Sequence, residues 1–335
     1  MAADGSLSWG DVVVRLGVVP VEQSYERGTN VLRTRPAAAE VIDFLPWLGD
    51  SLRPPGRVVR IVTGSFRLDV QPVNPGARMT HFSSGAAYDD TVVRVVDAGD
   101  RTVVTVGHDD DGLSLDGAMD LFDRTVRAWR SWLVPSTYDG PFAAVVERSL
   151  LAVKAQPVGG LAATARATRV FARLGFDEEA EAGRLRLRAL LAEAELADLL
   201  PSALDVAEAL DGDVPSEVAD CWADEWREAE RPRQRLYVAA ALRRVATAAF
   251  ARNPLDLAAA AWRAEAVDIE RHVVDRDDPG IAELADQRRW EDAHAHMEAL
   301  VGSLSPLGLA GPPPPDVVAQ LDVVDAAIAL AAGPR

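Results

Sequence analysis

Hydrophobic spacing changes once along this chain. Between about Asp11 and Gly107 the apolar residues come in short β-branched or alternating runs. Val31-Leu32-Arg33-Thr34-Arg35, Val58-Val59-Arg60-Ile61-Val62, Phe66-Arg67-Leu68-Asp69-Val70, Val92-Val93-Arg94-Val95-Val96 and Thr102-Val103-Val104-Thr105-Val106 read as strands. Turn clusters at Pro54-Pro55-Gly56, Asn74-Pro75-Gly76 and Asp97-Ala98-Gly99-Asp100 separate them. Many short strands with regular turns predict an antiparallel β-sandwich domain over residues 1–112.

From Leu115 onward the spacing is helical. Leu121, Phe122, Val126, Trp129 and Leu133 share one stripe, as do Leu236, Ala239, Ala240, Leu242, Val245, Ala246, Ala249 and Phe250. Val317, Leu321, Val324, Ile328 and Ala331 form a third. Ala, Leu, Arg and Glu dominate, all good helix formers. Asp116 to Val134 predicts a linker helix within a linker of residues 113–138, ahead of a helical domain over 139–335. Prolines at 135, 201, 215, 232, 254, 279 and 306 divide the whole helical region from Leu115 onward into roughly eight or nine helices. No repeat relates them.

Composition narrows the function classes. A length of 335 residues, 48% of them hydrophobic, is enough for two cores. The net charge of −17 (35 basic against 52 acidic residues) repels phosphate backbones and anionic lipid. Neither nucleic acid nor a membrane surface is therefore expected as a partner. Cys221 is the single cysteine, so no intrachain disulfide forms, and a reducing cytoplasmic location is expected. No His/Asn set surrounds it, so it reads as a small core residue and not as a nucleophile. The opening residues Met1 to Asp11 have neither a basic start nor an apolar segment, so no signal peptide is expected. No apolar stretch of about 18 residues predicts a membrane span.

Several segments, in order, carry a resemblance. Asp4-Gly5-Ser6-Leu7-Ser8-Trp9 comes first, then Gly28-Thr29-Asn30-Val31-Leu32-Arg33-Thr34-Arg35 with Val41-Ile42-Asp43-Phe44-Leu45-Pro46. Trp129-Arg130-Ser131-Trp132-Leu133, Tyr138-Asp139-Gly140-Pro141 and Arg148-Ser149-Leu150-Leu151-Ala152-Val153-Lys154 follow. Arg289-Trp290-Glu291-Asp292-Ala293 and Leu307-Gly308-Leu309 come last. Together they resemble glycoside hydrolase family 15, the glucoamylase/trehalase-like six-hairpin glycosidases. The resemblance implies a β-sandwich followed by an (α/α)6 barrel. It also implies inverting hydrolysis of terminal α-glucosidic bonds in maltodextrin-like chains or trehalose. That chemistry needs two carboxyl groups, roughly 6.5–9.5 Å apart, one protonating the leaving oxygen and one activating water.

Three departures remove that machinery. The family's sugar-binding segment lies between its first two barrel helices. Here Gly159-Gly160-Leu161-Ala162-Ala163-Thr164-Ala165-Arg166 runs directly into Val170-Phe171-Ala172-Arg173-Leu174-Gly175-Phe176. The family's general acid follows a Trp-Arg-Glu helix end. Here Trp226-Arg227-Glu228-Ala229-Glu230 passes at once into Arg231-Pro232-Arg233-Gln234. The family's general base follows a Gly-Leu-Leu turn. Here Gly308-Leu309-Ala310-Gly311 leads into Pro312-Pro313-Pro314-Pro315, a stiff segment with no carboxylate. The resemblance therefore implies a shortened member with no catalytic residues. Its helical domain would be an incomplete toroid, and the open apolar edge would be covered by the sandwich or by a second copy, so a homodimer is expected.

Other residues carry two readings. Trp222 and Trp226, four apart, form either a sugar-stacking platform or core. With Glu228 and Arg233 they would line a relic substrate cleft. Asp224, Glu225, Glu228 and Glu230 are either relocated catalytic carboxylates or a solvated helix face. Trp262 and Trp290 read as core. His294 and His296, two apart, do not share a helix face as a zinc pair would. Asp109-Asp110-Asp111-Gly112 lacks the ligand spacing and distal Glu of a calcium loop. Gly159-Gly160 lacks the strand and Lys of a phosphate loop. No metal and no cofactor are expected. Three functions remain: a non-catalytic protein binding carbohydrate or a protein partner, an active inverting α-glycosidase, and a scaffold unrelated to carbohydrate.

Overall fold

A computed structural model of the chain describes residues 7–9, 12–16, 20–36, 38–47, 57–64, 68–72, 79–82, 85–88, 91–97, 99–108, 113–156, 158–229, 231–277, 293–301 and 317–332. Eleven strands precede ten α-helices among these residues. Two compact units result, one of Met1–Val134, Ala144–Pro157 and Glu298–Asp316, the other of Pro135–Ala143, Val158–Met297 and Val317–Arg335.

The first unit holds two antiparallel sheets. Strands β1 (Leu7–Trp9), β2 (Val12–Leu16) and β7 (Leu68–Pro72) make the smaller. The larger runs β3 (Pro20–Tyr25), β4 (Leu32–Pro36), β5 (Ala39–Phe44), β6 (Arg57–Gly64), β11 (Arg101–Gly107), β10 (Thr91–Asp97), β9 (Gly85–Tyr88) and β8 (Met79–Phe82). Its inner strands are covered on both faces. Val58, Val104 and Val106 pack on Val14 of the small sheet. Val59, Ile61 and Val103 point the other way, onto Phe122 and Val126 of α1 (Leu115–Leu133). This double cover explains why Val58 through Val62 is buried without alternation.

One ion pair is sealed in this interior. Asp43 and Arg60 stand opposite each other in the β5–β6 register. Arg60 Nε and Nη2 donate to the two carboxylate oxygens at 2.6 and 2.9 Å, and Nη1 donates to the Val14 carbonyl of the small sheet at 3.2 Å. Both side chains are 1% exposed.

Helix α2 (Ala143–Lys154) packs in the same unit. Arg148 donates to the carbonyl of Thr29 at 2.8 Å and to Asn30 Oδ1, and it stacks over Tyr25. Asn30 in turn donates to the Leu151 carbonyl at 2.6 Å. Two of the segments singled out in sequence, Gly28–Arg35 and Arg148–Lys154, thus meet at the tip of the β3–β4 hairpin. Trp47, Trp129 and Trp132 form an aromatic cluster beside it.

The second unit is helical. Its elements are α3 (Leu161–Arg173), α4 (Asp177–Leu191), α5 (Leu196–Ala209), α6 (Ser216–Glu225), α7 (Pro232–Arg252), α8 (Leu257–Asp277), the 293–297 part of α9 (residues 293–301) and α10 (Val317–Ala332). Helix α3 packs on α4, α5 and α10, α5 on α7, and α7 on α8. Among the described residues this row does not close into a barrel. Ten helices form where proline spacing predicts fewer, because glycines end some of them. Gly175, at φ 84°, turns the chain between α3 and α4, and a Cβ there would meet the Pro135 carbonyl at 2.7 Å. Prolines do not all break helices: Pro232 occupies the first turn of α7, but Pro201 sits inside α5. None of the described helices is long and apolar enough to cross a membrane.

Candidate functional site

The residues expected to line a relic cleft do not form one together. Trp222 ends up fully buried in the helical core, its indole N–H donating to the Leu199 carbonyl at 3.2 Å. Trp226 is equally buried and donates to Glu265 Oε1 at 2.7 Å. Its ring meets the edge of His272, and the guanidinium of Arg227 lies 4.3 Å from its centroid. Neither indole offers a free face for a sugar to stack on. Glu228 is exposed on the 3-10 turn Trp226–Glu228. Arg233 is exposed on the first turn of α7 and donates to Tyr237 Oη at 2.7 Å. Asp224 and Glu225 face solvent, and Glu230 lies outside the described residues.

The joins read in sequence have simple local structures. Gly160 caps α3, and the helix runs unbroken from Leu161 to Arg173, so no loop intervenes between Arg166 and Val170. The chain passes from Glu228 to the Pro232 start of α7 within four residues. Trp262 is a core residue whose indole donates to Asp220 at 2.7 Å. Cys221 is half-buried, and burial followed by Glu225 and Asp224 pushes its thiol pKa up, away from nucleophile character. His294 and His296 are both exposed on α9, and no cluster of three or more metal-ligand side chains occurs among the described residues. The Asp109–Gly112 loop, Trp290, the Leu307–Leu309 turn and the Pro312–Pro315 run lie outside the described residues.

What does converge is a charged network that sequence reasoning missed. Arg166, Arg169 and Arg173 line one face of α3, Asp205 and Glu208 one face of α5, and Asp322 and Asp325 one face of α10. Arg166 Nε donates to Asp205 at 3.1 Å and Nη1 pairs with Asp322. Arg169 holds Asp205 at 2.7 Å, Glu208 at 3.0 Å and Asp325. Arg173 reaches Glu208 at 3.1 Å. Spacings of three or four residues put each helix's charges on one face, which was legible. That the three faces meet was not, because α3 and α10 partners are 156 positions apart.

The electrostatics follow from the count of three guanidiniums against four carboxylates. Burial opposes the charge on Arg169, but Asp325, Asp205 and Glu208 outweigh it and raise its pKa. Burial raises the pKa of Asp325; Arg169 opposes the rise and Asp205 adds to it. Arg169 Nε is buried without a hydrogen-bond partner. Every carboxylate of the network already accepts from a guanidinium, which makes it a clamp joining three helices. Comparison with protein-family models, with curated proteins and with solved structures finds no match.

Proposed function

We propose that this chain is a non-catalytic relative of the glucoamylase/trehalase-like glycosidases, acting by binding a carbohydrate or a protein partner. The helical unit is read as part of an (α/α) toroid, in which α10, α3, α5 and α7 form the inner row. The observation that carries the reading is the fate of the segment around Trp226. Both tryptophans are spent on core packing, and the chain turns directly from Glu228 into α7. An inverting hydrolase needs an acid and a base on opposite sides of a sugar. The half-buried carboxylates of α5 and α10 are instead tied to arginines, and Glu228 is exposed, as are Asp224 and Glu225.

One observation favours the active alternative. Four carboxylates gather on α5 and α10, and burial raises the pKa of one of them, as a general acid requires. The two readings separate cleanly. Purified protein at high concentration, incubated for a day with maltose, maltotriose, soluble starch or trehalose between pH 4 and 8, is expected to release no glucose above buffer. Sustained release that disappears in Asp325→Asn or Glu228→Gln, with the fold intact, would refute the reading. Calorimetric titration with the same sugars then distinguishes a carbohydrate binder from a scaffold.

A further inference from the structure

We infer that Asp139–Gly140 is a site of spontaneous covalent modification, where aspartate isomerises to isoaspartate and slackens the seat of α10. Five Asp-Gly pairs occur in the sequence, at 4–5, 111–112, 116–117, 139–140 and 211–212, and the last three lie within the described residues. Such a pair is open to this reaction because glycine has no side chain to shield its amide nitrogen or to restrict the approach. Sequence alone makes the three pairs equal; their surroundings separate them.

The reaction needs a backbone nitrogen and a carboxyl group that can both move. In Asp116–Gly117 the nitrogen is tied. Gly117 lies in the first turn of α1, and its N–H donates to Ser114 Oγ at 3.1 Å. In Asp211–Gly212 both groups are tied. The Gly212 N–H donates to the Ala207 carbonyl at 2.8 Å, and the Asp211 carboxylate accepts from Arg244 Nη2 at 2.8 Å. Asp139–Gly140 lies between α1 and α2, outside any helix or strand. Asp139 is exposed and has no hydrogen bond or ion pair with a described residue. The Gly140 N–H donates to no described group.

The chemistry requires only water. The Gly140 nitrogen attacks Cγ of Asp139, and a C–N bond closes a five-membered succinimide. The amide proton, a carboxyl oxygen and a solvent proton leave as water. A second water then opens the ring. Breaking the bond from nitrogen to Cγ returns aspartate. Breaking the bond from nitrogen to the main-chain carbonyl leaves Gly140 joined through Cγ, and the old carbonyl becomes the free carboxylate. Nothing is oxidised or reduced.

The product routes the main chain through the aspartate Cβ and so lengthens it where there is no slack. A Cβ on Gly140 would stand 2.6 Å from Tyr138 Oη and 2.9 Å from Ala331 Cβ. Tyr138 Oη lies 2.5 Å from the Pro141 carbonyl and 3.2 Å from that of Ala327. Ala327 and Ala331 belong to α10. The segment that isomerises therefore also seats that helix. None of this rests on the carbohydrate reading.

Ageing the full chain for weeks at neutral pH and physiological temperature tests it. Isoaspartate is located by peptide mapping with electron-transfer fragmentation. It should accumulate at residue 139 at least about tenfold faster than at 116 or 211. In urea the three sites should react at similar rates, since only the fold distinguishes them. Asp139→Glu, at an exposed position, should abolish the product, because a glutamate would have to close a less favourable six-membered ring. Hydrogen exchange of the α10 amides should quicken as wild-type protein ages and stay unchanged in Asp139→Glu. The inference is overturned if residue 139 isomerises no faster than 116 and 211 in the folded chain. It is equally overturned if isoaspartate forms at 139 and exchange in α10 does not change.

Discussion

Two buried charge arrangements in this molecule solve the same problem differently. In the sheet unit Asp43 and Arg60 face each other across the strand register, closed off from water, and a guanidinium nitrogen also donates to the Val14 carbonyl. In the helical unit three arginines and four carboxylates share contacts, and the side chains of Asp322 and Arg166 still reach solvent. A sealed, balanced pair has a large desolvation cost that only an intact partner offsets. A shared, half-open network loses less when one member goes, but its surplus carboxylate makes it respond to protons. The first arrangement holds two sheets in one register; the second adjusts.

The sharpest way to break this contrast is to remove one partner from the sealed pair. Asp43→Asn should cost about 3–5 kcal/mol in urea unfolding, since it leaves a guanidinium buried without its counter-charge. Replacing both, as Asp43→Leu with Arg60→Met, should recover much of that loss. A single-site cost below 1 kcal/mol would mean that water reaches Arg60.

A smaller effect is expected in the network. Arg169→Met removes the donor shared by Asp205, Glu208 and Asp325. It should cost about 1.5–3 kcal/mol, the range for hydrogen bonds to charged groups. Because the surviving carboxylates then repel one another, the loss should shrink as pH falls toward 4. A loss that stays constant with pH would argue against mutual repulsion.

The smallest effect is the most diagnostic. Asp325 has a raised pKa in the folded chain, burial being the first cause. Between the unfolded carboxylate value and that raised value, the folded state binds more protons than the unfolded one. Asp325 therefore contributes most to stability below the unfolded value, and the contribution fades as pH rises through the folded one. Asp325→Asn should flatten this part of the melting-temperature profile, narrowing any gain the wild type shows on going from neutral to mildly acid solution. Parallel profiles for the two proteins would show that Asp325 does not carry this pH dependence.

These arrangements also mark how far the sequence could be read. The change of period located the strands near Val58, Val92 and Thr102 and the helices through Trp129, Leu242 and Val324, because burial on one face or two leaves a local signature. The Asp43–Arg60 pair left none: a strand with an arginine between valines looks half-solvated until its second cover is known. Trp222 and Trp226 show the reverse difficulty. Spacing of four places two rings on one face, but only the packing of α6 against its neighbours says that the face is inward. Pro201 sits within a helix because surrounding contacts outweigh one missing N–H. The charged faces of α3, α5 and α10 each resemble an ordinary wet surface when taken singly.

That last point has a consequence for how the chain is made. Arg169 and its partner Asp325 are 156 positions apart. At roughly 5–20 residues per second, a ribosome needs about 8–30 s to travel that far. For that interval Arg166 and Arg169 have at most the α5 carboxylates to hold them, while the apolar face that α10 will cover stays open. The helical unit is thus assembled early and fastened late. Its exposure to chaperones or to misassociation is set by the distance between those two residues in the message.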